Sequence, residues 1–211
     1  MASGNVFTFL KEAVRDFHTT GAVAPSSPML SRAVAGNLPQ RPSNELRILE
    51  VGPGTGPVTA EIVKRLDGGG RLELWEISPS FCDVLRKKAT EDPDYRKLGD
   101  RLSVHEGDVR DLPKQPTYDY IVAGLPYSNF EPEEVQGFLN HFRDISKSGG
   151  ILLWYEYVAV RNLQMPFVSP ARRARLRRIE EITNGFARQH QFRLQYVPLN
   201  IPPARIRHLR F

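Results

Sequence analysis

Residues 46–56 read Leu46-Arg47-Ile48-Leu49-Glu50-Val51-Gly52-Pro53-Gly54-Thr55-Gly56. A run rich in branched apolar residues closes on an acid and then on glycines at alternate positions, the pattern of a buried strand turning sharply into a helix. Glycine serves such a turn twice. The backbone passes through conformations closed to side-chained residues, and a ligand reaches the main chain without meeting a Cβ. The spacing also separates this turn from other glycine-rich ones. A G-x-G-x-x-G dinucleotide fingerprint needs glycine at position 57, where Pro57 stands, and a phosphate-cradling loop needs Gly-Lys-Ser/Thr, which is absent.

From Leu46 onward strands and helices alternate. Strands are predicted at 46–51, 71–77, 102–106, 118–123 and 150–158, and helices at 57–66, 79–90, 131–146 and 170–189. This is the α/β pattern of a mostly parallel sheet covered on both faces. Two further β-like runs, Phe192 to Leu199 and Arg205 to Phe211, are joined through Asn200-Ile-Pro-Pro. They leave no room for a crossover helix, so antiparallel pairing is predicted.

Upstream, residues 5–18 have a divided helical surface, with Val6, Phe7, Phe9, Leu10, Ala13, Val14 and Phe17 on one arc and Thr8, Lys11, Glu12, Arg15 and Asp16 opposite. Such a helix packs on its own domain, lids a site or lies on a membrane. A second helix is predicted from Pro28 to about Ala35, capped by Ser26 or Ser27. Gly36 to Asn44 then forms a connector. The expected organisation is an N-terminal helical segment, 1–44, and a core domain, 45–211.

The 211 residues suit one such core. No apolar run approaches the ~18 residues of a membrane span, and the first residues lack a signal peptide's basic start and apolar middle, so a cytoplasmic protein is expected. A single cysteine, Cys82, and five histidines without ligand spacing give no metal site. The net charge of +5 is local in origin: residues 160–211 hold 11 arginines against only Glu180 and Glu181. A patch of that kind calls for an anionic partner, nucleic acid or an anionic membrane surface.

Ligands of an open α/β sheet sit beyond the carboxyl ends of its strands. Glu76, ending the second strand, is placed to accept ribose hydroxyls, and Asp108, after the third, to accept from an adenine amino group. With Glu50 they put three acids at three successive strand ends around a glycine turn, which favours an adenosine-bearing ligand. The G-x-G-x-G turn resembles the cofactor motif of class I S-adenosylmethionine (SAM) dependent methyltransferases. The fold that this resemblance implies is Rossmann-like, with a seven-stranded sheet and a C-terminal antiparallel hairpin. The cofactor set implied is Glu50, Gly52, Gly54, Gly56, Glu76, Asp108, Val109, Gly124 and Leu125.

The fourth strand ends Gly124-Leu125-Pro126-Tyr127-Ser128-Asn129-Phe130. This resembles the Asn/Asp-Leu/Pro-Pro-Tyr/Phe motif of methyltransferases acting on nitrogen, with Gly124 in place of the acid or amide. Losing that side-chain acceptor argues against an adenine base and leaves room for a bulkier, flexible alkylamine. Tyr127 is placed to face a cation. Together with Thr20-Gly-Ala-Val-Ala-Pro-Ser-Ser27 and Asn200-Ile-Pro-Pro-Ala-Arg-Ile206, these segments look like bacterial phospholipid N-methyltransferases, which methylate phosphatidylethanolamine or, in relatives, ornithine lipids. The resemblance spans nearly the whole chain, and its fold-level motifs are shared with rRNA adenine dimethylases.

That family implies a methyl transfer from SAM to a lipid amine, by a protein held peripherally at the inner membrane, with neither a nucleic acid nor an obligate protein partner. The helix opened by Ser169-Pro170 carries Arg172, Arg173, Arg175, Arg177 and Arg178 in its first turns. Cations there oppose the helix dipole, which suggests an anionic ligand such as lipid phosphate. Tyr127 and Glu156 are the groups expected to take up the amine's proton. Three alternatives stay open: an RNA or DNA adenine methyltransferase, a non-catalytic peripheral membrane protein and a methyltransferase for small soluble amines.

Overall fold

A computed structural model describes residues 26–158 and 169–211; the helix expected at 5–18 lies outside them. Ser27 caps α1 (Pro28–Ala35) by accepting the Leu30 N–H at 3.2 Å, and Pro28 takes the first turn. There a missing N–H costs nothing. The chain continues through β1 (Arg47–Val51), α2 (Pro57–Arg65), β2 (Arg71–Glu76), α3 (Pro79–Glu91), the short α4 (Pro93–Arg96), β3 (Leu102–Glu106), β4 (Tyr118–Ala123), α5 (Pro132–Ile145) and β5 (Ser146–Tyr157). The chain ends with α6 (Pro170–His190), β6 (Gln191–Val197) and β7 (Ala204–Arg210).

The seven strands form one sheet in the order β3-β2-β1-β4-β5-β7-β6. The first five are parallel, and β7 runs antiparallel between β5 and β6. This is the Rossmann-like arrangement with a terminal antiparallel hairpin. One boundary differs from the sequence reading: β5 begins at Ser146, before Gly149 and Gly150. Tyr118 pairs with Ser146 and the register then shifts, while Gly149, at φ +79°, bonds through its N–H to the Phe211 carbonyl at 2.6 Å. The glycine pair is thus an irregularity within the strand rather than its boundary.

Period-two alternation sorts strand residues between two apolar layers. Ile48, Val122, Leu153 and Tyr155 face α1 and α2, through Leu30, Val34, Val58 and Ile62. Leu49, Ile121, Leu152 and Trp154 face α5 and α6, through Phe138, Phe142, Ile179 and Phe186. The segment assigned to the N-terminal unit therefore enters the core through α1, with Leu38 beside it. Among the described residues no helix is long and apolar enough to cross a membrane.

Candidate active site

The order of strands reverses between β1 and β4, and the crevice beyond their carboxyl ends is where such sheets bind ligands. Two loops meet there, Gly52–Gly56 after β1 and Gly124–Phe130 after β4. Gly52, Gly54 and Gly56 have φ of +66°, +58° and +80°, the left-handed region that side chains resist. A Cβ at Gly52 would lie 3.2 Å from the Leu125 side chain, and one at Gly56 would lie 2.9 Å from Leu85. At Gly54 it would meet nothing within 4 Å, so this glycine presents bare backbone to open space. The turn is tied down by the Lys88 ammonium on the Thr55 carbonyl at 2.8 Å and by the Tyr95 hydroxyl on the Gly56 carbonyl at 3.2 Å.

Glu76 links this turn to β2. Its Oε2 accepts the Gly54 N–H and its Oε1 the Ser78 N–H, each at 2.9 Å. A carboxylate offers about four acceptor positions, so two remain for a pair of ribose hydroxyls. Burial raises its pKa, and these N–H groups pull the other way.

Glu50 is the opposite case. It is 1% exposed, and among the described residues neither of its oxygens has a hydrogen-bond partner, nor does the Thr59 hydroxyl. Burial pushes its carboxyl up to about 8, with the Thr59 hydroxyl acting against that and the Glu76 carboxylate adding to it. Asp108 is engaged by its own turn. It accepts the Arg110 backbone N–H at 2.9 Å and its Nε at 3.0 Å, while that guanidinium lies over Phe138. Arg110 therefore covers the acid assigned to adenine, and Val109 beside it is buried. Spacing alone shows neither contact.

The loop after β4 brings a correction. The sequence leaves room at Gly124 for a bulky amine, but a Cβ there would lie 2.1 Å from the Tyr155 hydroxyl oxygen and 2.2 Å from its Cζ. Ala123 pairs with Trp154, so the next residues along, Gly124 and Tyr155, stand side by side on the sheet face that also carries Glu50. Tyr155 fills the position that the sequence leaves empty. Burial raises its phenol pKa, Glu50 raises it further, and the Ser26 hydroxyl lowers it. Its signal in the sequence was the period-two aromatic pair Tyr155 and Tyr157 at the end of a strand.

The two groups assigned to proton uptake sit on the other face. The Tyr127 hydroxyl is buried without a partner among the described residues, and its ring meets Trp154 edge-on at 4.9 Å. Burial first, and then Glu156, push that phenol up, so it stays protonated and cannot receive a proton. Glu156 is shared by two cations: its Oε1 accepts from Arg205 Nε at 2.7 Å and from Arg207 Nε at 2.9 Å. That oxygen is thus committed to a bridge between β5 and β7.

On α6, Leu176, Ile179 and Phe186 are buried while Arg172, Arg177 and Arg178 are exposed. Arg178 pairs with Glu181 at 3.1 Å, and Arg173 is half-buried. Arg175 bonds the Glu131 carboxylate at 2.9 Å and the Ser128 carbonyl at 3.5 Å, docking the start of α6 beside the loop after β4. Arg172 joins Arg175, Ala171 and Glu131 around a shallow cleft there.

Unpartnered Glu50 oxygens, spare acceptor positions on Glu76 and the open side of Gly54 suit a ligand that is cationic at one end and carries a ribose. With the strand order, they define a class I SAM-dependent methyltransferase. Residues 48–150 match the family described as Methyltransferase domain. An O-methyltransferase from Bacillus cereus, solved in complex with SAH, shares the fold at a TM-score of 0.59 and 17% identity, over 96% of this chain and 90% of that one. Over 204 residues the chain is 30% identical to the ornithine lipid N-methyltransferase of Singulisphaera acidiphila, covering 94% of this chain and 92% of the relative. The chain belongs to that enzyme's family within the class I methyltransferases. A ribosomal RNA small subunit methyltransferase A from a Synechococcus strain is 32% identical, over 46% of this chain and 31% of its own length.

Proposed function

We propose that this methyltransferase modifies the amine headgroup of a membrane lipid, phosphatidylethanolamine or an ornithine lipid, at an anionic bilayer surface. The extent of similarity carries this reading, since it runs through 94% of the chain for the lipid-methylating relative and through 46% for the RNA-methylating one. Bound SAM supplies a methyl group already activated on a sulfonium, which leaves positioning and deprotonation of the amine to the chain's own residues. Glu50 balances the cationic end of the cofactor. Glu76 holds the ribose through its spare acceptor positions, and Asp108 reaches the adenine once Arg110 yields. The Tyr155 hydroxyl, standing where an Asn or Asp side chain would begin, faces the amine. With Tyr127 enclosed and Glu156 tied to arginines, the amine's proton leaves to water. Arg172, Arg173, Arg175, Arg177 and Arg178 engage lipid phosphates.

The test is transfer of labelled methyl from SAM to phosphatidylethanolamine vesicles, to ornithine-lipid vesicles and to total RNA. Label in a mono-, di- or trimethylated lipid is expected. Label in RNA alone would overturn the lipid reading. For Tyr155→Phe, turnover on lipid is expected to fall about tenfold, the loss of roughly one hydrogen bond, with SAM affinity unchanged; equal turnover would remove the hydroxyl from the site.

A further inference from the structure

We propose that the turn between β6 and β7 is the element that enters the bilayer, with Leu199 and Ile201 passing below the headgroups. This rests on the reading that the substrate is a membrane lipid. Leu199 is 75% exposed and Ile201 90%, more than any other large apolar residue among those described. Single exposed apolar side chains are ordinary. This pair differs because the residue between them, Asn200, is buried. Its amide donates to the Pro202 carbonyl at 2.5 Å and accepts from the Ser27 hydroxyl, while its backbone N–H bonds the Val197 carbonyl at 3.2 Å. Pro202 and Pro203 restrict the backbone further. The turn is thus fixed through its polar residue, and its apolar side chains are held outward.

Its location gives the exposure a purpose. Ala204 pairs with Tyr157, and the Val158 N–H bonds the Pro203 carbonyl at 2.8 Å, so the turn stands at the carboxyl end of β5. That is the edge of the sheet at which the Gly52–Gly56 and Gly124–Phe130 loops open. The first turns of α6 reach the same edge through Arg175, and exposed Arg172 and Arg177 have no acidic partner among the described residues. Tyr196, 60% exposed, adds an amphipathic ring of the kind that settles at headgroup level. An apolar tip, exposed arginines and an exposed tyrosine at one edge of the sheet complement an anionic bilayer, apolar within and negative at its surface.

The test compares wild type with a Leu199→Ser/Ile201→Ser double variant on mixed phosphatidylcholine and phosphatidylglycerol vesicles. The variant is expected to co-sediment at least tenfold more weakly, with an unchanged melting temperature and undiminished methyl transfer to a short-chain, water-soluble phosphatidylethanolamine. In an Ile201→Trp variant, the new indole emission is expected to be quenched by brominated acyl chains. Equal partition of wild type and double variant, or an unquenched indole, would overturn the proposal. So would a wild-type dimer that the double variant dissolves, which would assign the patch to self-association. A wild type that methylates the short-chain lipid without binding vesicles would sink the insertion and leave the lipid substrate standing. Vesicle binding lost in the double variant, with label only in RNA, would keep the insertion and sink the substrate.

Discussion

Burying an unpartnered carboxylate, as at Glu50, opposes stability and serves the ligand. At about 1.4 kcal/mol per pKa unit, holding Glu50 ionised in the ligand-free protein costs several kcal/mol. The cost is absent below its unfolded value of 4.5, grows as pH rises and is complete above about 8. Glu50→Gln should therefore raise the melting temperature more at pH 9 than at pH 5. A cation in the site favours the ionised form, so SAM affinity should rise with pH up to about 8 in wild type. Calorimetry of the Gln variant should show weak binding without that slope. For Glu76→Ala, loss of both the ribose acceptor and the tether to Gly54 predicts no measurable SAM binding; an unchanged Kd would contradict the cofactor assignment. Gly124→Ala forces a Cβ into Tyr155 and should cost about 1–3 kcal/mol of stability in denaturant melts. A second change, Tyr155→Ala, should return part of it. In the sequence, position 124 showed only that a side chain was missing. What took its place came from a strand 31 residues further on, whose register no local pattern reveals.

Elements were more legible than contacts. The glycine turn, the strands that alternate with helices and the Ser-Pro starts of α1 and α6 follow from local chemistry that acts within a few residues. The early start of β5 did not, because its glycines are explained by the distant Phe211 carbonyl. Nor did the engagement of Asp108 by Arg110, a choice of rotamer rather than of spacing. On α6 the dipole argument identified the arginines as unusual but not their separate duties: Arg175 joins elements, while Arg172 and Arg177 remain exposed. Charge reversal, Arg172→Glu with Arg177→Glu, should weaken binding to anionic vesicles by roughly tenfold or more and flatten its salt dependence. Arg175→Ala should instead loosen the loop after β4, visible as faster amide exchange at Ser128 and Glu131.

At the scale of the molecule, the sheet gathers at one edge what the sequence scatters from Ser26 to Ala204. The Ser27 contact with Asn200 shows how far apart in the chain such partners lie. The strand order also bears on how the chain is made. β6 is held on the sheet only through β7, which follows it in the sequence yet lies between it and β5. During synthesis, residues 191–197 emerge before the strand that must receive them. The outer edge of β5 then stands open, a row of unpaired backbone groups able to pair with another chain. Order of synthesis and order of assembly are thus inverted at this end of the protein. Until β7 is made, the nascent chain keeps that edge available to other chains.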